Sequence, residues 1–511
     1  MFLLSAKQSF CFAKNTPDIA RQFAGALLHR EPRAQNNPRG GFCSAAVTFL
    51  GMGWLFWAIM GSCLGSQESE SGPQGLIIVS LDTVRWDHTS LAGYPHDTTP
   101  NLLRLAEQPG AVQFERAYTP ASWSLPAYAS VFTGQEVLTH GMGFTRDVLK
   151  PTTRTLAEVL QAYGYQTLAL CSGPHLVASQ GFGRGFDTYM HHTNALPITQ
   201  QVTEALHWLE HDRDPEKPFF LFLQGYDAHF PYATPAAISE LFEEEPIVRP
   251  GSSCARSCGA ARKNNGWRCA PQRLQEDGTA VLSPDALEHV VAHYDSAIYY
   301  ADYQLGRLLH SLEALGLYDD IVFAVISDHG EGLGEEGRLG HDWDCGDNIF
   351  HVPLVLRRPS DAPPLRQDAV VSIGGLAPTL LELLGISPPV GADTAAFTAL
   401  MDPGHTDPAP GLARSASKSC YTVRSDGWRY TERWEGDDWA PLAPVLLRDG
   451  IGANEIDTEP EQAAQLAGAI AGWPRGMDLA EINERAAQGD PILRQALQDG
   501  GYWSATPEDD P

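Results

Sequence analysis

The feature that most limits how this chain can fold is a set of short apolar runs, most of which stop at a polar residue. L-I-I-V-S-L, Leu76 to Leu81, stops at Asp82. Gln166 to Ser172 is a second run, and Phe219 to Gln224 is a third, followed at once by Asp227 and His229. Ile321 to Ile326 runs into Ser327-Asp328-His329-Gly330-Glu331, and His341 follows in a glycine-rich loop. Val352 to Leu356 is the last. Runs of this length, apolar throughout, predict strands buried on both faces of a parallel sheet. Helical patterns lie between them. One starts at Thr99-Pro100-Asn101 with Leu102, Leu103 and Leu105 inward, and others cover Thr153–Tyr163, Leu287–Leu315 and Val371–Gly385. Strands alternating with helices predict an α/β protein. In open sheets of this kind, chemistry collects at the carboxyl ends of the strands, which is where Asp82, Asp227, His229, Asp328 and His329 fall.

The stretch A-S-W-S-L-P-A-Y-A-S-V-F-T-G, Ala121 to Gly134, adds a hydroxyl. Ser124 falls in the first turn of a predicted helix, with Pro126 where a missing N–H costs nothing and Gly134 as the stop. A helix start offers unpaired N–H groups and the positive end of the dipole, which suits an anion. Carboxylates, imidazoles and one hydroxyl together make a plausible divalent-metal site with an activated nucleophile.

Composition bounds the partners. The chain has 511 residues with 35 Lys and Arg against 63 Asp and Glu, a net charge of −28. Nucleic acid and anionic membrane surfaces are poor partners for such a chain, and an anionic substrate needs a locally positive site. A basic leader, residues 1–39, precedes an uncharged stretch, 40–65, that reads as a signal peptide or membrane anchor, with 66–75 as a linker. Met60-Gly61-Ser62-Cys63 loosely resembles a lipoprotein cleavage site. Export is therefore expected, to a periplasmic, membrane-anchored or lipoprotein location at the cell envelope. Contact with a membrane is expected only through this segment. Residues 76–395 read as the catalytic domain, with Ala233 to Pro284 as an insertion or lid. From about residue 396 a smaller subdomain follows, in which Tyr421–Trp434 alternates like antiparallel strands. Cys254, Cys258 and Cys269 cluster and could carry a disulfide, whereas Cys171, Cys345 and Cys420 stand alone.

Taken in order, several motifs resemble the sulfatase family of the alkaline phosphatase superfamily. They are L-I-I-V-S-L-D-T-V-R-W-D-H, G-Y-P-H-D-T-T-P-N-L, S-W-S-L-P-A-Y-A-S-V-F-T-G and Y-D-A-H-F-P-Y, then Y-Y-A-D-Y-Q-L-G-R-L-L, V-I-S-D-H-G-E-G-L-G-E-E-G-R-L-G-H and A-P-T-L-L-E-L-L-G. They cover residues 76–387. The resemblance implies a large mixed, mostly parallel sheet sandwiched by helices, with a small C-terminal antiparallel-sheet subdomain. It implies that Asp82, Asp328 and His329 bind one divalent metal and that Ser124 stands at the nucleophile position. His229 and His341 would hold the oxygens of a sulfate or phosphate ester, and one of them could protonate the leaving group.

Departures from the family pattern matter as much. Active sulfatases carry Cys or Ser followed by x-P-x-R, and that residue is oxidised to formylglycine. Here Tyr128 stands in place of the arginine, which speaks against formylglycine at Ser124. An unmodified serine suits phosphorus chemistry, so a phosphoester hydrolase or transferase is the alternative, and a non-catalytic cell-surface binding protein of the same fold is another. Thr83 replaces a second aspartate. His329 stands where calcium-using sulfatases often have asparagine. Family habit gives calcium, but an imidazole favours manganese or zinc. Asp227, His229 and His341 could form a second metal or substrate site.

Overall fold

A computed structural model of the chain describes residues 72–471. Within them 144–146, 194–196, 336–338, 342–344, 406–410, 426, 436–439 and 450–452 are excepted, and of 231–283 only 232, 234–235, 238 and 241–242 are described. The leader, the 40–65 segment, nearly all of the insertion with its three cysteines, and the end of the acidic tail lie outside the described residues. No helix among the described residues is long and apolar enough to cross a membrane.

Eight strands form the main sheet: β1 (Gly75–Leu81), β2 (Ala111–Tyr118), β3 (Gln166–Ser172), β4 (Thr188–His192), β5 (Phe219–Gly225), β6 (Ile321–Ile326), β9 (Leu354–Arg357) and β10 (Leu365–Ser372). Between β6 and β9 lies a two-strand ribbon, β7 (Gly332–Leu333) with β8 (Leu339–Gly340). The order is β10-β2-β9-β6-β1-β5-β3-β4, and β9 alone runs against its neighbours. Side chains alternate between faces along a strand, so each strand feeds two cores. Leu76 and Ile78 of β1 pack on one face with the helices Ser124–Thr133, Leu156–Ala162 and Leu376–Leu383. Ile77, Val79 and Leu81 pack on the other with Pro100–Ala106, Ile198–His207 and Pro284–Ala314. The result is the mixed α/β sandwich expected.

Several local expectations shift. The helix expected from Val371 begins instead at Leu376, because Val371 and Ser372 finish β10 and Ile373–Gly375 makes a single tight turn. The helix expected from Thr153 begins at Leu156: Thr155 caps it, accepting from Glu158 N, while Glu158 accepts in return from Thr155 N. Leu103 is only half-buried, at the rim of its core.

The C-terminal sheet is antiparallel: β11 (Leu412–Ala416), β12 (Cys420–Ser425), β13 (Trp428–Glu435), β14 (Ala440–Pro441) and β15 (Val445–Arg448). The alternating aromatic stretch supplies β12 and β13, whose Tyr421, Tyr430 and Trp434 pack with Leu466 of the helix Pro460–Gly468. This sheet is stitched to the approach to Ser124. Ala416 forms a parallel bridge with Ala121, and Ser122 N donates to Ala416 O at 3.1 Å. A disulfide joins Cys345 to Cys420, 75 residues apart, correcting the expectation that these two cysteines stand alone. Spacing could not have paired them, since the pairing depends on where two separate sheets meet.

Candidate active site

Register brings the acidic strand ends together. Ser80 of β1 pairs with Ile326 of β6 on one side and Gln224 of β5 on the other. Asp82 and Asp328 therefore lie the same two residues beyond one rung. Thr83 turns the chain there with φ +59, a backbone region costly for a β-branched residue. That turn aims Thr83 N at Asp328 Oδ1, 3.2 Å away, and Tyr294 holds it by donating to Thr83 O at 2.6 Å. Gln224 Nε2 donates to Asp82 Oδ2 at 2.7 Å. Gly330 is a required glycine, because a Cβ there would meet Asn348 O at 1.9 Å.

Asp82, Asp328 and His329 bring one ligand atom each within 4.8 Å of one another, and all three are fully buried. Asp82 Oδ1 and Asp328 Oδ2 have no hydrogen-bond partner. Burial, reinforced by Asp328, holds Asp82 well above the usual carboxylate range, against the pull of Gln224. Two adjacent buried carboxylates with unsatisfied oxygens are costly without a counter-charge. The group fits a divalent cation, with two oxygen donors and one imidazole. His329 Nδ1 donates to Gly330 O at 2.9 Å, which fixes the tautomer and turns the Nε2 lone pair inward. Ser124 Oγ donates to that nitrogen at 3.2 Å. Ser124 opens its helix, as expected, and Gly134 closes it at φ +68.

Histidines line the other side. The His341 ring stands 4.3 Å from that of His329 and 5.2 Å from that of His229. His229 stacks on Tyr226 at 4.4 Å and donates from Nδ1 to Phe230 O at 2.7 Å. Burial, then the neighbouring His341, pushes His229 well below the ordinary histidine range. Burial also lowers His329, against the pull of Asp328.

Asp227, expected at a second metal or substrate site, holds a helix start. Its Oδ2 accepts from Ile198 N at 2.9 Å, at the start of the helix Ile198–His207. Burial raises it to about 7. Among the described residues the Asp82 cluster is the group of three or more with metal-ligand spacing.

Sequence reasoning missed two residues here. Buried Glu331 accepts from His341 Nδ1 at 3.2 Å and so orients that ring. It sat inside a quoted motif, but nothing in the spacing tied it to His341. His175 follows the end of β3, as strand-end logic would have allowed. Its ring meets Trp123 edge-on at 5.3 Å. Tyr128 is fully buried one turn beyond Ser124 and shares a 2.8 Å hydrogen bond with Ser80 Oγ. A neutral phenol, held protonated by burial and by the nearby Asp328 and Asp82, thus fills the place of the family's arginine.

Residues 74–386 match the family model "Sulfatase". The chain belongs to the sulfatase family. An arylsulfatase of Clostridium perfringens is 23% identical over 376 residues, covering 61% of this chain and 75% of that protein. Arylsulfatase K of Mus musculus is 23% identical over 398 residues, covering 69% of each. Among solved sulfatase-fold structures, one bound to its substrate D-glucosamine-2-N,6-O-disulfate aligns at TM-score 0.59 and 17% identity, covering 84% of this chain and 98% of that one. A phosphonate monoester hydrolase of Silicibacter pomeroyi aligns at TM-score 0.59 and 19% identity, covering 82% and 96%.

Proposed function

We propose that this sulfatase-family chain is a metal-dependent hydrolase of sulfate monoesters, with Ser124 at the nucleophile position. The observation that carries this reading is Ser124 Oγ at a helix start, 3.2 Å from His329 Nε2, in a cluster closed by Asp82 and Asp328. Asp82, Asp328 and His329 would hold the cation, and His329 favours manganese or zinc over calcium. When bound, a divalent cation neutralises ester charge and acidifies an oxygen donor.

The chain's own groups do the rest. The N–H groups of the first turn after Trp123 face the anion. His229 and His341 hold the ester oxygens. Neutral His229 gains affinity for a proton as the anion arrives, which equips it to protonate the departing alcohol. Glu331 keeps His341 in register.

Tyr128 favours a second reading, in which unmodified Ser124 attacks a phosphorus centre. Similarity to a phosphonate monoester hydrolase is compatible with it. Peptide mass spectrometry over Ser124, on protein from its own host, separates the two. A loss of one H2 identifies formylglycine and sulfate esters, while an intact serine favours phosphoesters. Absence of turnover of aryl sulfates with manganese, zinc or calcium sinks the first reading.

We also place the protein outside the cytoplasm, with residues 40–65 as signal or anchor. The buried Cys345–Cys420 disulfide supports an oxidising compartment. Cell fractionation with an antibody to residues 72–471 tests this, and a cytoplasmic signal would overturn it.

A further inference from the structure

Arg85 stands three residues beyond Asp82 and is 5% exposed. A guanidinium is seldom buried this far unless paired groups meet it. Its backbone is tied to the carboxylates' side of the site. Arg85 N donates to the Tyr294 hydroxyl at 2.9 Å, the same hydroxyl that holds Thr83 O, and Val84 N donates to Ser327 Oγ at 2.9 Å. Its guanidinium reaches towards the histidines' side. Nη1 donates to Glu331 O at 3.2 Å and to Glu335 Oε1 at 2.6 Å, while Nε and Nη2 pair with the Asp87 carboxylate at 2.8 and 2.7 Å.

Glu331 and Glu335 bracket β7, the first strand of the two-strand ribbon. Register pairs Gly332 with Gly340, so Glu331 and His341 are the next residues outward on the two strands, and there Glu331 Oε1 accepts from His341 Nδ1. At the other end Glu335 Oε2 accepts from Leu333 N at 2.7 Å. Arg85 thus grips the ribbon just before β7 and just after it. Its stem lies against Gly330, where a Cβ would meet Arg85 Cγ at 3.1 Å. The two carboxylate partners differ in what they hold. Asp87 is on Arg85's own segment, whereas Glu335 belongs to the ribbon that carries His341.

From this we infer that Arg85 is a positioning residue that sets where His341 stands against the ester, by gripping the ribbon through Glu331 and Glu335. The inference rests on the ester-hydrolase reading. An ion pair with a carboxylate as open as that of Glu335, 41% exposed, adds little to stability. Its effect lies in placement, since a displacement of about 1 Å in a reacting group can cost about a hundredfold in rate.

The test sets Glu335→Ala against Asp87→Ala in the full chain, on 4-nitrophenyl sulfate with manganese or zinc. Asp87→Ala takes two hydrogen bonds from the guanidinium and Glu335→Ala takes one, so a merely structural role predicts the larger loss from Asp87→Ala. The inference predicts the reverse. Glu335→Ala should lower kcat about tenfold with metal-induced thermal stabilisation unchanged, and Asp87→Ala should stay within about twofold. Glu335→Gln, which keeps an acceptor for Arg85, should restore most of the loss. In His341→Ala protein, adding Glu335→Ala should cost less than about twofold, because the effect runs through that ring. Equal losses from Asp87→Ala and Glu335→Ala, or a tenfold loss that persists without His341, overturn the inference. If wild-type protein turns over no ester, the hydrolase reading fails instead. Independently of turnover, the place of His341 is read from its ring-carbon resonance in histidine-labelled protein, identified with His341→Gln. Glu335→Ala should move that resonance and Asp87→Ala should not. A resonance that Glu335→Ala leaves in place, or that both variants move alike, overturns the inference.

Discussion

Asp82 and Asp328 stand at the ends of adjacent strands in one sheet, locked by register and by Thr83 and Gln224. His175, His229 and His341 stand on three separate segments, His229 and His341 in ring contact with each other and His175 against Trp123. The carboxylate side inherits the rigidity of the core, and its unsatisfied oxygens make it expensive without a cation. On the imidazole side, burial and then His341 push His229 well below the ordinary histidine range.

The largest expected effect breaks the link between the two sides. Ser124→Ala should lower kcat by about four orders of magnitude or more, as losing a nucleophile does elsewhere, while metal-induced thermal stabilisation stays intact. Initial rates and melting curves check both parts.

Next, Asp328→Asn should abolish metal-induced stabilisation yet raise the melting temperature of metal-free protein, because one of two crowded buried charges is gone. A lower metal-free melting temperature would mean that hydrogen bonds to Asp328 outweigh the repulsion.

Asp227 is a carboxylate that belongs to neither side, and it sharpens the contrast through pH. Its folded value is about 7 against an ordinary 3.8, so the folded protein holds the proton more tightly. Its stabilising contribution is complete below about pH 4 and is lost as pH rises through about 7. Asp227→Asn should flatten the urea-unfolding free energy of metal-free protein across that window, by a few kcal/mol in all.

Smallest is Glu331→Gln. It keeps a hydrogen-bond acceptor for His341 but removes the charge, and should lower kcat about tenfold and shift the acid limb of the pH–rate profile, with metal affinity little changed. An altered metal affinity would show that the two sides are not independent.

Legibility in the sequence followed the same divide. Leu76–Leu81 and Ile321–Ile326 are buried on both faces, so they read as apolar runs, and Asp82 and Asp328 came with them. β2 (A-V-Q-F-E-R-A-Y) and β10 (L-R-Q-D-A-V-V-S) lie towards one edge of the sheet and carry polar residues, so neither run was read as a strand. β4, at the opposite edge, escaped for the same reason. His229 and His341 were legible through family motifs. Glu331 and His175 were not: spacing does not tie Glu331 to the His341 ring it orients, and His175 owes its place to a contact with Trp123. Asp227 also holds the start of the helix Ile198–His207, a role its place just past a strand does not declare in the sequence.

The Cys345–Cys420 bond also sets an order of events during biosynthesis. The segment that carries His341 leaves the ribosome well before residue 420 does, and its anchor does not yet exist. A chain stopped before the second sheet would carry the nucleophile, the aspartates and the histidines, but the segment after His341 would lack its covalent tie. Activity should therefore appear only after the last part of the chain has been made and oxidised, and a cell would find no working hydrolase on its unfinished chains.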